Sequence, residues 1–273
     1  MGIAGRYPGP TTNMHNSFSR IRVSARVPRI TAVIALSVAA VLVPELAGRT
    51  ASAAAPGGGH VATSSVESAE VVSVEGTSVF DAATWQDVAL GSVKADVFAL
   101  ALHAAGNAVA LGDVENPGTL TVIDFSQPST NRRMWVYDLQ TRTLLFEELV
   151  SHGRGSGTTL ANAFSNVPES NRSSLGLFRT ADTYVGKHGY SLRLDGLEPG
   201  VNDRARERAI VMHAADYVNE RVANAQGYLG RSLGCPAVRP EISRQLIDAV
   251  KGGGLLFAYY PDPQWLKTSK YLL

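Results

Sequence analysis

Cysteine is almost absent from this chain: its 273 residues contain one, Cys235. A disulfide framework within the chain is therefore excluded. Aromatic residues are sparse at 7%, and neither sign of charge dominates, with 25 Lys and Arg against 24 Asp and Glu. No apolar run reaches the roughly 20 residues a membrane-spanning helix needs. Histidines are few, and none stands in an HExxH or i, i+4 zinc spacing. There is no internal repeat.

What is present begins with the N-terminus. Arg20, Arg22, Arg26 and Arg29 precede an apolar run from Ile30 to Val43, and small residues Ala51-Ser52-Ala53-Ala54-Ala55 follow it. These are the three parts of a secretory signal peptide, here residues 1–53 with cleavage after Ala53 or Ala55; an uncleaved anchor is the alternative. No cysteine directly follows the run, so a lipoprotein-type N-terminus is excluded. Six basic residues and one acidic residue fall within 1–53. The remainder keeps 19 basic and 23 acidic residues, a net charge of about −4, which removes any global case for nucleic-acid binding. The expected location is exported, periplasmic or cell-envelope associated, with membrane contact only in transit through the signal peptide. In an oxidising compartment a lone cysteine is buried and inert, paired to another chain, or kept for its chemistry.

Residues 54–77, rich in Ala, Gly, Ser and Val, read as a flexible linker. Residues 78–119 form an N-terminal helical segment: apolar positions 97, 98, 101, 102, 105, 108 and 109 follow helical spacing, and Gly112 is a stop signal. After Asn116-Pro117-Gly118 the period becomes two. Leu120–Phe125, Met134–Leu139 and Thr143–Val150 read as three strands joined by short turns, hence an antiparallel sheet. A loop with three glycines, Ser151–Gly157, follows. The strand Leu175–Thr180 and a second segment Thr183–Leu194 come next, then a helical turn at Asn202–Glu207 with Asn202 as cap, and a buried strand Arg208–Met212 that delivers His213. Pro240 opens a helix to Lys251, Gly252-Gly253-Gly254 end it, and Leu255–Tyr260 is a last core strand. Residues 120–260 show no domain break, and 261–273 read as an exposed tail.

Cys235 stands in Gly230-Arg231-Ser232-Leu233-Gly234-Cys235-Pro236, a loop that small residues and proline shape. A thiol nucleophile needs a base on a rigid element, and His213, at a strand end 22 positions upstream, is the best-placed supplier; a histidine satisfied by backbone is the bland alternative. His152 and His188 sit in glycine-bearing loops that can border the same cleft. Ser232 can orient the loop or the imidazole, but is a poorer nucleophile than the thiol beside it.

Ser232-Leu233-Gly234-Cys235 after a strand-borne His213 resembles the cysteine L,D-transpeptidase catalytic domain of the YkuD type. The murein L,D-transpeptidase branch is the closer likeness, through Ser151-His152-Gly153, Phe164-Ser165-Asn166, Ser173-Ser174-Leu175-Gly176, Gly186-Lys187-His188-Gly189 and Arg208–His213. The resemblance covers about Leu120 to Tyr260 and leaves the preceding helix outside. It implies a mainly β fold with a few helices, an antiparallel or mixed sheet forming a sandwich or partly closed barrel. It also implies acyl transfer on peptidoglycan stem peptides without a cofactor or metal. Cys235 would be the nucleophile, His213 the base, backbone N–H groups around Gly234 and Cys235 the oxyanion donors, and Gly234 the residue whose lack of a side chain admits the substrate carbonyl. His152 and His188 are read as substrate contacts or as residues that order their loops, with a structural role the stronger alternative for His188. The wider family has an arginine two positions after the cysteine, where this chain has Ala237; Arg231 and Arg239 are the candidates to replace its charge, and a non-catalytic wall-binding protein that keeps the fold is the rival. Oligomeric state is not legible.

Overall fold

The computed structural model describes residues 78–273. The signal-peptide expectation, residues 1–53, and the linker, 54–77, lie outside the described residues. Among the described residues no helix is long and apolar enough to cross a membrane.

A 3-10 turn, Ala82–Trp85, leads into helix α1, Ala95–Ala110. The helical spacing read from the sequence buries Val97, Phe98, Ala101, Leu102, Ala105 and Ala108 on one face. Phe98 meets Trp85 edge-on at 5.1 Å and Tyr137 at 4.7 Å, and α1 packs on the sheet. The helix therefore shares one core with the strands and is not an appendage before them.

Strands β1 (Thr119–Asp124), β2 (Arg132–Asp138) and β3 (Thr143–Leu149) form the expected antiparallel meander. Strands β4 (Gly176–Gly186) and β5 (Gly189–Gly196) form a long hairpin with Lys187 and His188 at its tip, and β6 is Val211–Ala214. Helix α2 (Glu220–Gln226), strand β7 (Ala237–Val238), helix α3 (Pro240–Val250), strand β8 (Leu255–Tyr259) and helix α4 (Pro263–Thr268) complete the chain. The sheet order is β3-β2-β1-β8-β4-β5-β6-β7. It is mixed: β8 runs parallel to β1 and β7 parallel to β6, because each returns to the sheet through a helix-containing crossover that permits the parallel direction.

The two ends of this sheet come together. Ser151 N–H, just past β3, donates to Ala237 O of β7 (2.9 Å), and Ser232 N–H donates to His152 O (3.0 Å). Beside that seam Arg239 clasps Glu148 through two hydrogen bonds of 2.6 and 2.9 Å. The result is a nearly closed barrel.

Two expectations are corrected. Asn202 does not cap a helix: its buried side chain donates to Leu175 O and Leu177 O and accepts from Glu198 N–H, pinning a run of turns beneath β4. Residues 261–273 are not an exposed tail, since Trp265 and Tyr271 are buried and Trp265 donates to Glu198 (3.0 Å). Two aromatic rings in one short amphipathic stretch supply enough apolar area to dock it.

Candidate active site

The loop carrying Cys235 is fixed before any substrate arrives. Ser232 Oγ donates to Cys235 O (2.7 Å) and accepts from Gly234 N–H (3.0 Å), so the serine orients this loop and makes no bond to the imidazole. Gly234 has φ +131°, which favours glycine, and a Cβ there would meet Arg172 O at 2.8 Å. Its need for no side chain is thus a backbone requirement from the protein's own Arg172 loop. Gly153 packs against it: a Cβ on Gly153 would stand 2.9 Å from Gly234 Cα. Ser173 Oγ bridges the two, accepting from Gly153 N–H and donating to Gly234 O, both at 3.0 Å. The glycines and serines of the quoted motifs are the means by which three loops approach closely.

Half-buried Cys235 opens on a cavity of about 520 Å³ that His213, His188, Arg208, Tyr217, Arg231 and Ser232 also line. Strand β6 delivers His213 in register with Ala237, two residues after the thiol. Its Nδ1 donates to Ala214 O at 2.8 Å, since a carbonyl can only accept, and this leaves Nε2 as the unprotonated nitrogen. The ring of His188, from the hairpin tip, stacks on His213 at 4.3 Å and 26°. Burial pushes the His213 pKa down, against the pull of Ala214 O, and neighbouring His188 and Lys187 push it further. Burial pushes the Cys235 thiol up, opposed by Val211 N–H at 3.5 Å and by the charge of Arg208.

Of the oxyanion donors expected from the sequence, Gly234 N–H is engaged by Ser232. Cys235 N–H carries no such bond among the described residues. His152 is fully buried and does not line the cavity: its Nδ1 accepts from buried Arg133 at 2.8 Å, and burial, then the Arg133 charge, lowers its pKa to about 4. Its backbone holds Ser232, so its place is behind the loop. Arg239 also lies off the cavity, on the seam with Glu148. Position 237 has no space for an arginine, because Ala237 is buried among Leu149, Val218, Ala223 and Leu229. Sequence reasoning missed Arg208, Tyr217, Tyr184 and Lys187 as cavity residues, and Arg208, expected within a strand, lies in the turns that precede β6. Among the described residues no three His, Cys, Asp or Glu side chains converge as metal ligands would.

A comparison with protein families matches residues 90–259 to the L,D-transpeptidase catalytic domain, so the match takes in α1 as well as the barrel. No curated protein matches the chain. Similar solved structures include an L,D-transpeptidase from Mycobacterium smegmatis (15% identity, TM-score 0.33, 52% of this chain and 59% of that one). Another is an L,D-transpeptidase from Stackebrandtia nassauensis (15% identity, TM-score 0.33, 67% and 88%). A third is L,D-transpeptidase 3 from Mycobacterium tuberculosis (14% identity, TM-score 0.33, 53% and 62%). The chain spans 59% of the length of the first of these. With more than half of its residues matched, cysteine loop and barrel included, the chain belongs to the L,D-transpeptidase catalytic domain family.

Proposed function

We propose that this protein is an exported cysteine acyltransferase of the cell envelope, acting on peptidoglycan stem peptides. The observation that carries the reading is Cys235 sharing one cavity with His213, whose Nδ1 is fixed on Ala214 O so that Nε2 is free to accept a proton. Cys235 Sγ attacks the carbonyl carbon of the third stem residue while His213 takes the thiol proton, and Cys235 N–H meets the developing oxyanion. Collapse breaks the peptide C–N bond, His213 returns the proton to the leaving amine, and D-alanine departs from a thioester. The side-chain amine of a second stem then resolves the thioester into a 3–3 cross-link, or water does so, giving L,D-carboxypeptidase action.

With purified disaccharide tetrapeptide, Cys235→Ala and His213→Ala should each lower D-alanine release at least about a hundredfold while circular dichroism stays native. The product masses separate cross-linking from hydrolysis. Undiminished release by Cys235→Ala contradicts the nucleophile, and no turnover of any stem peptide by the wild type favours a wall-binding protein.

A further inference from the structure

The cations around the thiol differ in what holds them. Arg239 is neutralised by Glu148. Arg231 donates to Gly157 O at 3.1 Å and stands over the Tyr228 ring, and Lys187 is exposed at the hairpin tip. Arg231, like Arg208, has no carboxylate partner among the described residues; Arg208 is set apart by its place behind the cysteine peptide. Its Nη1 donates to Ser165 O and Ser174 Oγ, both at 2.6 Å, and its Nη2 to Arg172 O at 2.5 Å. All of these partners are uncharged, and no carboxylate lies within ion-pair distance of Arg208 among the described residues. Nη2 is 3.4 Å from where a Cβ on Gly234 would stand, so the guanidinium is packed behind the peptide that carries Cys235. A half-buried cation held by neutral dipoles keeps its full charge and needs no rearrangement when a negative charge forms beside it.

We propose that Arg208 is the positioning residue for the nucleophile, supplying from behind the Gly234–Cys235 peptide the fixed positive charge on which the Cys235 thiolate rests. The proposal builds on the reading of Cys235 as the nucleophile. The thiol also faces His213 from β6, Lys187 and His188 from the β4–β5 tip, Tyr184 from β4, Tyr217 after β6, and Arg231 from its own loop. The arginine that lowers the thiol pKa against the effect of burial is Arg208.

The test is the rate of Cys235 alkylation by iodoacetamide from pH 6 to 10.5, read by intact mass. No stem peptide is involved, so failure of the enzymatic reading leaves this test standing. Arg208→Gln keeps hydrogen-bond donors without charge and should slow alkylation at neutral pH on the order of tenfold, moving the midpoint up by about one pH unit. Arg208→Lys, which keeps the charge, should stay within about threefold of wild type. Ser174→Ala loosens the same strut but leaves the charge, and its midpoint should not move. The proposal is overturned if Gln matches wild type, if Gln and Lys slow the reaction alike, if Ser174→Ala moves the midpoint as Gln is expected to, or if Arg231→Met moves it as far as Arg208→Gln. Should the Gln variant fail to fold, the proposal is overturned if Arg208→Lys slows alkylation more than about threefold, or if Ser174→Ala or Arg231→Met moves the midpoint by about one pH unit.

Discussion

Cys235 and His213 share one cavity, where burial raises the thiol pKa and lowers that of the imidazole. In the proposed reaction the imidazole must be neutral to accept the thiol proton, so activity should fall as pH falls through the His213 pKa, which burial holds below its ordinary 6.5. The folded state holds the proton less well than the unfolded chain, so any stability tied to this ring is also lost as pH drops below 6.5. We expect the acid limb of kcat/KM to have its midpoint below pH 6.5, and His188→Ala, which uncovers His213 and removes a neighbour that pushes its pKa down, to move it upward; a limb that stays put shows that the stack does not tune the base. A lone cysteine in a glycine- and proline-shaped loop and a histidine closing an apolar strand were legible because each is rare in its setting. The places of His152 and Arg239 were not. A glycine-flanked histidine and a surface-like arginine look the same in sequence whether they face a cavity or stand behind it, and only the partners Arg133 and Glu148 decide.

Among the elements, the seam between β3 and β7 carries the loop that carries Cys235. Glu148 is buried, and besides Arg239 the cation near it is Arg132 at 3.4 Å. Arg239→Met leaves that carboxylate short of two charged hydrogen bonds and should destabilise the protein by about 2–3 kcal/mol. The urea midpoint measures this, and an unchanged midpoint means the clasp is replaceable. Period-two patterning located β1, β2 and β3, and the proline start and glycine stop located α3, because these signals are local. The parallel placement of β8 beside β1 was not legible: pairing direction follows from the crossover, which no short window contains. Helix α2 was missed for a related reason, as its seven residues bury only Ala223 and show little apolar period.

For the molecule as a whole, α1 and the C-terminal residues belong to the same body as the barrel, though both were read from sequence as flanking pieces. Apolar spacing shows that a helix packs on something, not on what. The assembled body places the thiol, the His213 imidazole and the Arg208 guanidinium about a single cavity. The central claim, that this cavity runs acyl transfer through Cys235, is tested most directly by the intact mass of the whole protein mixed with disaccharide tetrapeptide and quenched in acid. Wild type should gain the mass of the substrate less D-alanine, mapped by peptide digestion to Cys235, and Cys235→Ala should gain nothing. An adduct on Ser232, or one that survives in Cys235→Ala, would contradict the account.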